Sequence, residues 1–132
     1  MATTETVMDR EAIAGVVQLY IDGASKGDAG ELKEAFHEQA WMFGSIGDER
    51  FDMPITQMIE ILTSQPLDSD GGYRAEVTSV EQVGDAAVAT IELEGCWGGV
   101  SFTDYLSLTR IGGAWKIVNK TFAHTGGEMP AA

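Results

Sequence analysis

The chain has almost no cysteine, little proline, few basic residues and no long apolar run, and each shortage removes a class of protein. Its single cysteine, Cys96, cannot form an internal disulfide, so the fold owes nothing to oxidation. Eight Lys and Arg residues stand against 21 Asp and Glu, a formal net charge of −13. Such a field repels phosphate backbones and anionic lipid surfaces, so neither nucleic acid nor membrane is an expected partner. The acids are scattered rather than packed in one run, which fits a solvated surface better than an acidic binding tail. No segment approaches the roughly 20 apolar residues that span a bilayer. Residues 1–9 carry no basic stretch leading into an apolar one, so no signal peptide is read there. The expected compartment is a reducing cytoplasm.

What is present suits one globular unit. The 132 residues are 44% hydrophobic and 22% charged, with no internal repeat and no linker long enough to divide them. One domain spanning 1–132 is expected, with frayed ends at about 1–8 and 126–132.

Periodicity predicts a first helix from Asp9 to Ala24, where Ile13, Val16, Val17 and Tyr20 repeat at helical spacing. A short second helix follows Asp28, which with Glu31 forms a capping-box pattern and buries Leu32, Ala35 and Phe36. A third helix starts near Pro54, carries the stripe Ile55, Met58, Ile59, Leu62 and stops before Pro66. Trp41 to Ile46 reads as a strand between the second and third helices. Beyond Gly71 and Gly72 the texture changes. Tyr73–Val83, Ala86–Cys96, Val100–Ile111 and Trp115–Phe122 read as strands joined by Gly-containing turns, an antiparallel meander. Three helices and a curved, mostly antiparallel sheet make an α+β layer fold.

Two stretches carry a resemblance. Lys26-Gly27-Asp28 through Phe36-His37-Glu38-Gln39-Ala40 is one. The other is Asp104-Tyr105-Leu106-Ser107-Leu108 followed by Gly113-Ala114-Trp115-Lys116-Ile117-Val118-Asn119-Lys120-Thr121-Phe122. Together they resemble the nuclear transport factor 2-like (cystatin-like) superfamily, closest to the bacterial branch named for lumazine binding and related in fold to SnoaL-like cyclases and ketosteroid isomerases. The resemblance covers nearly the whole chain. It implies a cone-shaped pocket between helices and sheet, and a homodimer through the sheet's outer face. Ala87-Val88-Ala89-Thr90-Ile91 is apolar at both parities, which independently suggests that both faces are covered.

Asp104 is the first candidate for chemistry. It shares parity with Phe102, Leu106 and Leu108, so a core-facing strand aims it into the pocket. There it would serve as acid, base or hydrogen-bond donor. The structural alternative is a buried carboxylate paired with a nearby cation or backbone N–H. Tyr20 lies on the buried face of the first helix, eight residues before Asp28. In the isomerase relatives a tyrosine so placed binds a developing oxyanion; a buried tyrosine also simply packs. The same comparison puts the isomerases' general base on Gly44, so steroid isomerisation is not expected. His37 is either an acid–base partner of Asp104 or a histidine closing the second helix, and its spacing fits the latter better. Trp41, Phe43, Met58, Leu62, Trp97, Phe102 and Trp115 are the expected pocket lining, each also an ordinary core residue taken alone. Two histidines and one cysteine make no metal-ligand pattern. No phosphate loop or nucleophile elbow is present, and no cofactor is expected.

Three functions follow in order. The first is binding of a small, apolar or aromatic molecule, flat and conjugated to suit the aromatic walls. The second is cofactor-independent isomerisation, dehydration or cyclisation with Asp104 as acid or base. The third is a protein–protein module, which would need an apolar patch beyond the dimer face.

Overall fold

The computed structural model describes residues 4–129. Helix α1 spans Thr4–Lys26 and α2 spans Ala29–Ala35. Strand β1, Phe36–Ile46, leads through two-residue strands β2 (Glu49–Arg50) and β3 (Met53–Pro54) into α3, Ile55–Ser64. Four long strands complete the chain: β4 Arg74–Val83, β5 Ala86–Cys96, β6 Val100–Ile111 and β7 Ala114–Gly126. They form one sheet in the order β2-β1-β7-β6-β5-β4, with β3 paired to β1. Among the described residues only β1 and β7 run parallel; the other pairs are antiparallel.

The helices lie on one face of this sheet. Ile13, Val17, Tyr20, Ile21 and Ala24 of α1 are buried against it, as are Ile55, Met58, Ile59 and Leu62 of α3. The sheet answers with Ala87, Ala89, Ile91 and Leu93 of β5 and Phe102, Leu106 and Leu108 of β6. Alternation from Ala86 to Leu93 of β5 and from Val100 to Leu108 of β6 leaves the opposite face open, with Val88 and Tyr105 exposed.

Several expected boundaries move, among them the start of β1 (Phe36 rather than Trp41) and the end of β7 (Gly126 rather than Phe122). The first helix runs longer at both ends, starting at Thr4 rather than Asp9, so part of the expected fraying is helical. At the other end Gly126 closes β7, and residues 1–3 and 130–132 lie outside the described residues. The second helix stops at Ala35, two residues before the His37 expected to close it. Its cap forms as expected, Asp28 Oδ1 accepting from the Glu31 N–H at 3.1 Å. But Phe36 is already extended (φ −99°, ψ 143°), because it begins the parallel pairing with β7 opposite Ile117. Sheet pairing ends the helix there, and His37 becomes a strand residue.

The loop after α3 is clipped down. Leu67 and Asp68 N–H groups donate to the carbonyls of Ala24 and Ser25, and Trp97 donates from its backbone to Leu67 and from Nε1 to Gln65. These bonds close the α1 end of the helical layer onto the β5–β6 turn. Trp97 holds φ +50°, a left-handed conformation costly for a bulky residue, at the rim of the space so enclosed.

Candidate functional site

Between α1, α3 and the sheet lies a cavity of about 270 Å³. Its walls are apolar: Met42 and Ile46 from β1, Phe51, Met58, Ile61 and Leu62 from α3 and its approach, Leu67, Leu93, Trp97, Phe102 and Phe122. Three polar groups converge on it, Tyr20, Asp104 and Lys120, with Gln65 nearer the loop. Asp104 and Lys120 are the two buried charged residues among those described.

Register explains the convergence. On β6, Asp104 stands opposite Ile91 of β5 and Phe122 of β7, all on the helix-facing side. Lys120 stands opposite Leu106 and Met42, one step along the same face. Asp104 and Lys120 are therefore diagonal neighbours across two strands, within reach of a long side chain. Their ion pair spans 3.8 Å, Nζ to Oδ2. Tyr20 comes down from α1, and its hydroxyl donates to the same Oδ2 at 2.5 Å. The Lys120 ammonium also sits 5.1 Å from the Tyr20 ring centre and 5.4 Å from that of Phe122, in cation–π range.

The electrostatics follow from the dry setting. Burial raises the Asp104 carboxyl above the usual carboxylate range, while the charge of Lys120 and the Tyr20 hydrogen bond pull against it. Burial also raises the Tyr20 phenol well above its ordinary value, helped by the adjacent carboxylate, so Tyr20 keeps its proton and acts as a donor. The thiol of buried Cys96 is pushed up to about 12, again mainly by burial, and is no nucleophile.

Of the residues the sequence singled out, the structure gathers Tyr20, Asp104, Met58, Leu62, Trp97 and Phe102 at the cavity. It places four elsewhere. Trp41 and Phe43 alternate with inward Met42 and so point to the outer face, where they stack at 5.9 Å and stay 45% and 40% exposed. Trp115 is buried at the far end of β7, where Arg110 stacks on its ring and its Nε1 donates to Asp9. His37 lines a separate surface groove with Lys33, Ile55 and Ile59, its Nδ1 accepting from the Gln39 N–H. Gly44, opposite Phe122, faces the helices but offers no room: a Cβ there would meet the Phe122 ring at 2.5 Å.

Lys120 escaped the sequence reading for a physical reason. Alternation counted forward from Trp115 and Ile117 puts Lys120 on the outer face. The β6–β7 register shifts between Ser107 and Leu108, so β7 carries one extra residue and its inward side changes from odd to even positions. Counting backward from Phe122 finds Lys120 correctly. Among the described residues, no group of three or more His, Cys, Asp or Glu side chains converges as a metal site would. Nor is any helix long and apolar enough to cross a membrane.

Comparison with known proteins agrees with this architecture. A family profile described as "Putative lumazine-binding" matches residues 8–123. Among curated proteins, "Aldolase FrzH" of Cladobotryum sp. is 25% identical over 122 residues, covering 92% of this chain and 96% of that one. An NTF2-like protein from Methylobacillus flagellatus KT, of unknown function, superposes with a TM-score of 0.82 at 30% identity, covering 95% of this chain and 96% of its own. Another from Shewanella baltica OS155 gives 0.81 at 26% identity, covering 96% and 100%.

Proposed function

The chain belongs to the family described as "Putative lumazine-binding", and from that membership and the cavity's make-up we propose that it binds one small, flat, largely apolar molecule. The observation that carries this reading is the Tyr20–Asp104–Lys120 cluster at an otherwise apolar cavity. Apolar walls with a few convergent polar groups are the make-up of a ligand site, where the walls supply affinity and the polar groups orientation. Trp97 and Phe102 meet edge to face, as do Phe102 and Phe122, giving ring faces on which a conjugated ligand can lie. The volume is near the small end of ligand pockets, about 300–1,000 Å³. One- or two-ring molecules such as lumazines and pterins fit it better than steroids.

A second reading is supported by the Tyr20–Asp104 bond. A carboxyl raised by burial and held by a phenol is built to move a proton at a carbon beside a carbonyl. Cofactor-independent isomerisation, dehydration, cyclisation or aldol chemistry all use that step. The relative named an aldolase favours the last of these. His37, in its separate groove, has no part in it.

The open sheet face carries Trp41, Phe43, Val88 and Tyr105, exposed apolar side chains that suit a second copy of the chain. A homodimer through that face leaves the cavity free.

A thermal-shift screen tests the binding reading. Lumazines, pterins, flavins, steroids and polyketide-like aromatics are offered to wild type and to Asp104→Asn. A ligand of the site raises the wild-type melting temperature by mass action, and the variant loses most of that rise. No shift with any class, together with a much lower melting temperature for Asp104→Asn, makes the cluster structural and ends the proposal.

A further inference from the structure

Lys120 is an unusual lysine. Most lysines bury their stems and keep the ammonium in water, yet this residue is only 8% exposed. An ammonium has three donors to satisfy. Here its neighbours are the Met58 sulfur at 3.6 Å, Asp104 Oδ2 at 3.8 Å and two aromatic faces. No oxygen among the described residues lies within hydrogen-bonding distance of Nζ. The nitrogen is enclosed at a cavity large enough for a ligand, and its ion pair with Asp104 stands outside hydrogen-bonding distance. A lysine whose only task was to neutralise Asp104 would be expected to close that gap. On Asp104 both of these contacts, from Tyr20 and from Lys120, fall on Oδ2.

We propose that the cavity takes aldehydes and ketones, and that the Lys120 amine joins their carbonyl carbon as an imine. This rests on the reading of the cavity as a small-molecule site. The Asp104 carboxylate first takes a proton from the Lys120 ammonium, freeing the nitrogen lone pair. The amine attacks the carbonyl carbon, a C–N bond forms and the C=O π electrons move to oxygen, which receives the proton back from Asp104. Asp104 then removes a proton from the cationic nitrogen, restoring its lone pair, and passes that proton to the hydroxyl, which leaves as water while the lone pair forms C=N, giving the protonated imine and the Asp104 carboxylate. Amine plus carbonyl compound gives imine plus water, with no change of oxidation state. A protonated imine keeps the positive charge where the ammonium stood, so Asp104 remains its counter-ion and the Tyr20 phenol continues to donate to that carboxylate. The surrounding rings and methionines exclude the water that would hydrolyse the imine.

Reductive trapping tests this. Purified protein is incubated with naphthaldehyde and sodium cyanoborohydride, then digested and mapped by mass spectrometry. The chain has four lysines, Lys26, Lys33, Lys116 and Lys120, so each adduct is assignable. The expected result is an adduct at Lys120 formed more than about tenfold faster than at the other three, because a bound carbonyl reacts at an effective concentration that a free one lacks. Lys120→Met, an apolar replacement of similar length, should lose that adduct and leave the slow labelling of the others unchanged. Thermal shifts with naphthol and naphthoate, which enter the cavity but cannot form an imine, run alongside. If these ligands stabilise the protein and Lys120 is not trapped, the imine is overturned and the binding site stands. If Lys120 labels no faster than the exposed lysines and no probe stabilises the fold, both fall.

Discussion

At the scale of single residues, the site depends on how Asp104 is kept in a dry place. The Tyr20 hydroxyl is its one close hydrogen bond among the described residues. Tyr20→Phe leaves a buried carboxyl oxygen without that donor, which should cost about 1–3 kcal/mol in urea denaturation. A variant as stable as wild type would show that the bond contributes nothing. Titration gives an independent check. Burial raises the Asp104 carboxyl, so the folded protein binds this proton more tightly than the unfolded chain does. The stability it contributes is fully present below the unfolded pKa and is lost as pH rises through the folded one. Asp104→Asn removes the titration. Urea midpoints followed upward from the ordinary carboxylate range should show the variant gaining on wild type, by at most about 1.4 kcal/mol per pH unit. A pH-independent difference contradicts the raised value.

At the scale of elements, what alternation alone decides was readable in the sequence. The limits of β5 and β6 fall where the Gly turns put them, and the inward parity of Asp104 follows from Leu106 and Leu108. The α3 stripe packs as its spacing requires. Three features were not readable because they depend on partners distant in the chain. The early end of α2 is set by pairing with β7, the outward turn of Trp41 and Phe43 by the register of β1, and the inward turn of Lys120 by the extra residue in β7. Gly44 shows the same dependence. Its missing side chain makes sense only beside the Phe122 ring, which occupies the space a Cβ would need. Gly44→Ala should lose about 1–3 kcal/mol by overpacking. Gly44→Ala with Phe122→Leu should lose less than the sum of the two single changes, since the smaller side chain relieves the clash. Additive losses would mean that the ring does not set the requirement.

At the scale of the whole molecule, one sheet separates two surfaces of different make-up. Its inner face and the helices enclose the cavity; its outer face holds Phe43, Thr121, Tyr105 and Thr90 side by side across four strands. If that face joins two copies, Tyr105→Glu places a charge at the centre of the contact and should convert a dimer to a monomer in sedimentation velocity. Wild type sedimenting as a monomer would refute the assembly without touching the cavity. The central claim, that the cavity with its Tyr20–Asp104–Lys120 cluster is where a small molecule binds, is tested most directly by a calorimetric titration. The best ligand from the thermal screen is titrated into wild type, Ile61→Trp, which fills the cavity from α3, and Trp41→Ala, which changes only the outer face. Wild type and Trp41→Ala should show saturable one-site binding, and Ile61→Trp should lose it. Undiminished binding to Ile61→Trp would place the ligand somewhere else and contradict the claim.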